Sequence, residues 1–100
     1  MKLQMHSIHF DADYKLLDFI QKKADKLETF YDRIIDGEVF LRLDKDDKNE
    51  NKIIEIKLNI PGEQLFAEKK NKSFEAAADE AVEALRRQLK KFKEKHMAVH

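Results

Sequence analysis

The feature that most constrains the fold is the segment from residue 73 to 95, where apolar residues recur every three or four positions. This spacing is the period of a helix with one buried face, and Ser73 offers a side-chain oxygen for its N-cap. A helix with a single apolar face needs another layer to cover it. The stripe consists of Phe74, Ala77, Ala78, Ala81, Val82, Leu85, Leu89 and Phe92.

A second amphipathic helix is predicted over residues 13–31. Asp11 and Asp13 precede it and provide both N-cap oxygens and negative charge at the helix start. Its apolar positions again step by three and four, which indicates one buried face. They are Leu16, Leu17, Ile20, Ala24, Leu27, Phe30 and Tyr31.

Four segments have the pattern of β-strands. The first contains Leu3, Met5, Ile8 and Phe10, and a slip in its alternation predicts a bulge or an early strand end. Asp36 and Gly37 predict a break before the second strand, while Pro61 and Gly62 end the third. The later strands are predicted at 39–44, 54–60 and 65–67, with a solvated hairpin loop over 44–52.

The predicted order is β-α-β-β-β-α, an α+β fold in one domain spanning residues 1–100, with 96–100 as a frayed tail. The three consecutive strands favour antiparallel pairing because their connections are short. Both helices must lie on one face of the four-stranded sheet to bury their apolar sides. The other face is left open, with Phe40 and Phe66 as its apolar exceptions.

Composition narrows the classes of function. The chain has 100 residues, no cysteine and only two glycines, which argues against disulfides, thiolate chemistry and a glycine-rich phosphate loop. Neither a signal-peptide pattern nor a membrane-length apolar run is seen, so we expect a cytoplasmic protein. His96 and His100 are four residues apart, but the sequence offers no third ligand for a metal ion beside them. His6 and His9 are interpreted as ordinary sheet residues on opposite faces. We therefore expect no enzyme activity, metal, cofactor or small-molecule substrate.

Positive charge is concentrated in one place although the formal net charge is zero. Residues 84–95 carry six cations against the single carboxylate of Glu94, a balance of 6 − 1 = +5. This balance indicates a ridge about 10 Å long that suits a phosphate backbone. Acidic residues near the start of a helix and basic residues near its end also complement the helix dipole. From composition alone, a helix whose charges are simply solvated is therefore an equally good interpretation. The candidate RNA-binding residues are Lys22, Lys23 and Lys26 on the first helix and Arg86, Arg87, Lys90, Lys91, Lys93 and Lys95 on the last; Lys69, Lys70 and Lys72 are a possible extension.

The sequence as a whole resembles the ribosome hibernation promoting factor family, also called ribosome-associated inhibitors. The resemblance is carried by KKADKLETFYDRIIDGEVFL and by PGEQLFAEKKNKSFEAAADEAVEALRRQLKKFKEK. Its most specific parts are the Lys26-Leu27-Glu28 turn followed by aromatic residues, the 65–67 strand, and the run from Leu85 to Lys91. The fold of that family has the order derived above.

The resemblance implies a non-catalytic factor that occupies the messenger RNA and transfer RNA channel of the small ribosomal subunit and silences idle ribosomes under stress. We expect it to be a monomer off the ribosome and of the short type, without the extra C-terminal domain. The positions that match RNA-contacting residues of the family are Lys23, Lys26, Arg87, Lys91 and Lys95. Two departures from the family pattern are Ala84, where many relatives have lysine, and Arg86, where many have an acidic residue.

Two other classes of protein remain open. A stand-alone double-stranded RNA-binding domain shares the α-β-β-β-α order and has lysines before its last helix, but it works through the start of that helix. A protein-interaction domain, whose charges only keep it soluble, predicts weak RNA binding and no association with ribosomes.

Overall fold

Alternating apolar residues build a four-stranded sheet with the strand order β1-β2-β3-β4. The structure, a computed structural model, describes residues 1–45 and 50–97. Its strands are β1 (Lys2–Ser7), β2 (Asp36–Leu43), β3 (Lys52–Ile60) and β4 (Glu63–Asn71). The α+β order predicted from the sequence is confirmed.

The strand directions follow from the connections. The pairs β2·β3 and β3·β4 are antiparallel, as the sequence predicts. The pair β1·β2 is parallel, because the helical crossover between the two strands returns the chain to the same end of the sheet. Residues 46–49 of the predicted 44–52 loop lie outside the described residues.

Three helices cover one face of the sheet: α1 (Tyr14–Asp25), the one-turn α2 (Leu27–Phe30) and α3 (Phe74–Met97). Asp13 caps α1 by accepting from the Lys15 N–H at 3.0 Å, and Ser73 caps α3 by accepting from the Ala76 N–H at 3.0 Å. Both predicted apolar stripes point into the core. The largest fully buried side chains are Ile20, Val39, Leu41, Ile54, Ile56, Leu58, Leu85 and Leu89.

The prediction of one continuous helix over 13–31 is wrong in detail, because that segment is divided at Lys26 into α1 and α2. The Thr29 hydroxyl donates to the Lys26 carbonyl at 2.7 Å, a local side-chain bond that competes with the backbone hydrogen bonds of a helix. Asp25 at the end of α1 and Glu28 in α2 lie 3.2 and 2.5 Å from the amino group of Met1.

Several strand boundaries also differ from the prediction. The strand β4 has nine residues rather than three, because residues 63–64 before the predicted segment and the polar 68–71 end after it also pair with β3. The strand β1 ends early at Ser7, as the slip in alternation predicted, and His9 adopts a φ of 65° outside it. His6 and His9 are therefore not two residues of one strand. The predicted break at Asp36 and Gly37 is wrong, since both belong to β2.

The open face of the sheet is polar and internally paired. Arg42 bonds both Glu55 and Glu68, the latter at 2.6 Å, and so ties together β2, β3 and β4. Phe40 stacks on the His6 ring with centroids 4.9 Å apart, and the side chain of Phe66 is 43% exposed. The predicted apolar exceptions on this face are thus both present.

Candidate nucleic-acid interface

The helix layer brings the basic residues of the first predicted helix next to α3. The Lys23 ammonium lies 2.7 Å from the Asp79 carboxylate and joins α1 to α3. Lys23, Lys26 and Arg86 line one hollow of about 300 Å³ between the helices, above a floor that includes Phe30 and Leu27. The structure therefore brings together cations from both predicted patches.

Arg86 and Lys93 lie on the side of α3 that faces α2. The Lys93 ammonium donates to the Phe30 carbonyl at 2.9 Å and lies 4.8 Å from the centre of the Phe30 ring. The Arg86 guanidinium lies 5.9 Å from the same ring. Both cations interact with its electron-rich face, so they hold α2 against α3 as well as adding positive charge.

Lys91 and Lys95 lie on the opposite side of α3, near the edge strand β4. They line a second hollow, of about 240 Å³, together with Leu65 and Phe92. On the same side, the Gln88 amide donates to the Phe66 carbonyl at 2.8 Å. This bond and the buried apolar stripe fix the rotation of α3 on the sheet.

Arg87 and Lys90 are exposed on α3 between these two sides. Arg87 lies 3.8 Å from Glu83, at the outer limit of an ion pair. For Lys90, no ion pair is found among residues 1–45 and 50–97. The second half of α3 thus presents cations to solvent on more than one side.

Glu83 is the principal carboxylate among these cations. It accepts from the Arg86 guanidinium at 2.6 Å, and this hydrogen bond lowers the pKa of Glu83 and raises the pKa of Arg86. Both groups are therefore charged throughout the neutral range.

Lys22 stands apart from the interhelical hollow. It pairs with Asp18 one turn earlier at 3.0 Å, and the hydrogen bond that its ammonium donates to that carboxylate raises the pKa of Lys22. With 75% of its side chain exposed, Lys22 flanks the cationic surface from α1.

Two carboxylates interrupt the basic surface that the cations of α1 and α3 form. Asp79 and Glu83 lie in the seam between α1 and α3, within reach of Lys23 and Arg86. The pairing of Glu83 with Arg87 follows from their i, i+4 spacing on one helix, but nothing local to Asp79 or Lys23 in the sequence signals their contact. Lys70, one of the three possible extensions of this surface, donates to Asp44 at 2.9 Å.

Tyr14 and Tyr31, two aromatic residues near the first helix, differ in environment. The ring of Tyr31 packs edge-on against Phe92 at 5.8 Å, at the border of the core. Tyr14 is 78% exposed and belongs to no core cluster.

Within the described part of the chain, no cluster of three or more His, Cys, Asp or Glu side chains is placed to hold a metal ion. His96 lies in the last turn of α3 with its ring 4.0 Å from that of Phe92, while His100 lies outside the described residues. No helix in the described ranges is long and apolar enough to span a membrane.

The architecture and the cations of α3 define a small α+β domain with a basic end on its helix layer. The family model for sigma 54 modulation protein / S30EA ribosomal protein matches residues 3–97, and the chain belongs to this family. This confirms the resemblance found in the sequence.

Named relatives agree with this assignment. The ribosome hibernation promotion factor of Deinococcus radiodurans is 30% identical over 95 residues, which cover 94% of this chain and 50% of that protein. The ribosome hibernation promoting factor of Klebsiella oxytoca is also 30% identical, with 95% of this chain and 96% of that protein covered. This chain thus spans half of the first relative and nearly all of the second.

A solved structure shares the fold. A ribosomal subunit interface protein from Coxiella burnetii superposes with a TM-score of 0.83 at 22% identity, covering 93% of this chain and 98% of that one. At this identity the likeness is one of fold.

Proposed function

We propose that this chain is a cytoplasmic, non-catalytic factor that binds the small ribosomal subunit and occupies its messenger RNA and transfer RNA channel. The bound domain would exclude both RNAs sterically and so silence ribosomes during stress. The observation that carries the proposal is the cationic second half of α3, exposed on the helix layer of a chain from a family of ribosome-associated proteins.

Binding would depend mainly on shape and on phosphate contacts. Double-stranded regions of ribosomal RNA are A-form, and their base edges lie in a deep groove that side chains do not read. Phosphates remain accessible, and each one neutralised by a lysine or arginine releases counterions. The affinity is therefore expected to fall steeply with salt. No cofactor or small-molecule substrate enters this mechanism.

The nine basic residues predicted from the sequence take different parts in this proposal. Arg87, Lys90, Lys91 and Lys95 are exposed on α3 and would contact phosphates directly. Lys22, Lys23, Lys26, Arg86 and Lys93 would extend the contact towards α1 and α2.

The test is co-sedimentation of the purified protein with separated small and large ribosomal subunits over a salt series. The variant is Arg87→Glu/Lys91→Glu. A charge-matched control is Lys2→Glu/Lys57→Glu, because Lys2 lies beside the polar side chains of β1 and β2 and Lys57 lies over Phe40 on the open sheet face. We expect small-subunit binding that the α3 variant loses and the control keeps. Losing two phosphate contacts should also reduce the salt slope by about 2.

Other outcomes point to the other classes of protein. Equal losses in both variants would contradict an interface on α3. Binding to a plain RNA duplex without preference for the small subunit would favour a stand-alone RNA-binding domain. Failure to bind both the plain RNA duplex and the small ribosomal subunit at low salt would favour a protein-interaction domain. Sedimentation of the free protein would test the expected monomer.

A further inference from the structure

Two carboxylates one turn apart on α3 hold cations of the candidate RNA-binding set. Asp79 lies 2.7 Å from the Lys23 ammonium, and Glu83 lies 2.6 Å from the Arg86 guanidinium. Both carboxylates and both cations line the interhelical hollow of about 300 Å³. An anion that enters this hollow must compete with the carboxylates for these cations.

We propose that this hollow is a binding site for an RNA phosphate group and that Asp79 and Glu83 are internal counterions that restrain its affinity. This inference rests on the proposed function, since it concerns the same RNA-binding surface. In the free protein, Lys23 and Arg86 are neutralised by their partners. When RNA binds, a phosphate takes the place of the carboxylates.

The geometry suits such an exchange. Lys26 lines the same hollow and makes no ion pair within residues 1–45 and 50–97, so it is available for the first contact with a phosphate. The side chain of Asp79 is 54% exposed and that of Glu83 is 48% exposed. Exposed ion pairs contribute little to folding stability, so the protein can open them without unfolding.

We expect the two carboxylates to lower the affinity of the natural protein for RNA. Replacing Asp79 by asparagine removes a negative charge that repels phosphate and frees Lys23 to bind it. Allowing for solvent screening, this change should raise the affinity for RNA roughly threefold to tenfold at low salt. A lower affinity favours release of the factor, which a reversible inhibitor needs.

The test measures binding of the Asp79→Asn protein to two probes, a plain RNA duplex and purified small ribosomal subunits. The matched control is Glu75→Gln, which makes the same change in charge at an exposed position of α3 that has no ion pair in the described part of the chain. Each variant is checked by circular dichroism and a thermal melt. We expect Asp79→Asn to bind more tightly than both the natural protein and the control.

A double-mutant cycle with Lys23→Gln shows whether the gain is local. Lys23→Gln alone should weaken RNA binding, by roughly threefold to tenfold at low salt, because it leaves the Asp79 carboxylate in the hollow without its counterion. In the Asp79→Asn protein it should remove the whole gain. A parallel measurement with Glu83→Gln tests the second counterion.

The outcomes separate this inference from the proposed function. If Asp79→Asn matches Glu75→Gln on both probes, or if its gain survives Lys23→Gln, the counterion role is overturned. If the gain appears on the RNA duplex but no variant binds the small subunit, the counterion role stands and the ribosomal function fails.

Discussion

The two glycines of the chain are expected to resist substitution for different physical reasons. A Cβ added to Gly37 in β2 would lie 2.7 Å from the Lys57 carbonyl oxygen and within 2.9 Å of the Leu3 and Leu58 side chains. At Gly62, nothing lies within 4 Å of an added Cβ, but the backbone has a φ of +81°. Gly37→Ala is therefore a steric change, and Gly62→Ala is a conformational one.

The magnitude for Gly37→Ala follows from two opposing terms. Overpacking against a backbone carbonyl and two core side chains costs about 1–3 kcal/mol, since the β3 backbone is fixed on both sides by its neighbours. Alanine also restricts the unfolded chain, which offsets about 0.5–1 kcal/mol. From the middle of each range, the net loss should be about 1 kcal/mol, or about 4–8 °C in Tm for a domain of this size.

Urea denaturation followed by circular dichroism is a suitable assay, with the slope m used to check that only stability has changed. Gly62→Ala should cost about 1 kcal/mol, and Gly62→Asn should cost less, because asparagine tolerates left-handed backbone. Asparagine at Gly37 should be worse than alanine because it is larger. A neutral or stabilising Gly37→Ala, or a rescue by Gly37→Asn, would refute the steric explanation.

Two further predictions concern the N-terminus and the core. Hydrogen bonds to Glu28 and then Asp25 raise the pKa of the Met1 amino group above its ordinary 8.0. The charged amino group therefore stabilises the fold by about 1 kcal/mol below pH 8, and this stabilisation is lost as the pH rises through the folded-state pKa. Thermal melts from pH 7 upward should converge with those of an N-acetylated sample, and parallel curves would contradict this. Leu89→Ala should lower the free energy of unfolding in urea by about 3 kcal/mol, because Leu89 is fully buried. Leu43→Ala should cost less than half as much, because Leu43 is 47% exposed. Equal losses for the two variants would contradict this dependence on burial.

Much of the fold could be predicted because helix and strand periods are local properties of the sequence. The stripe that ends with Leu85, Leu89 and Phe92 has no other simple interpretation than a helix with one buried face, and the 54–60 alternation is equally direct. Element ends were less predictable. The polar residues 68–71 have no apolar pattern, yet they extend β4 because β3 provides a pairing partner.

The positions of the basic residues in the candidate site were also predictable, because they follow from the same local helix period. The sequence alone located the cations of α3 and of the first helix, since they lie off the apolar stripes. The resemblance connected them with ribosomal RNA, and whether each of them contacts RNA stays a prediction.

By itself, then, the sequence determined the secondary-structure elements, their order and the position of the basic residues. These depend on residues that are close in the chain, within one helical turn or one strand. The tertiary structure decided which charges meet. Lys23 pairs with Asp79 only because α1 and α3 pack side by side, and Gly37 must be small only because β1 and β3 flank β2. Such contacts join residues far apart in the chain, so no local pattern encodes them, and only the packed helix and sheet layers bring them within a few ångströms.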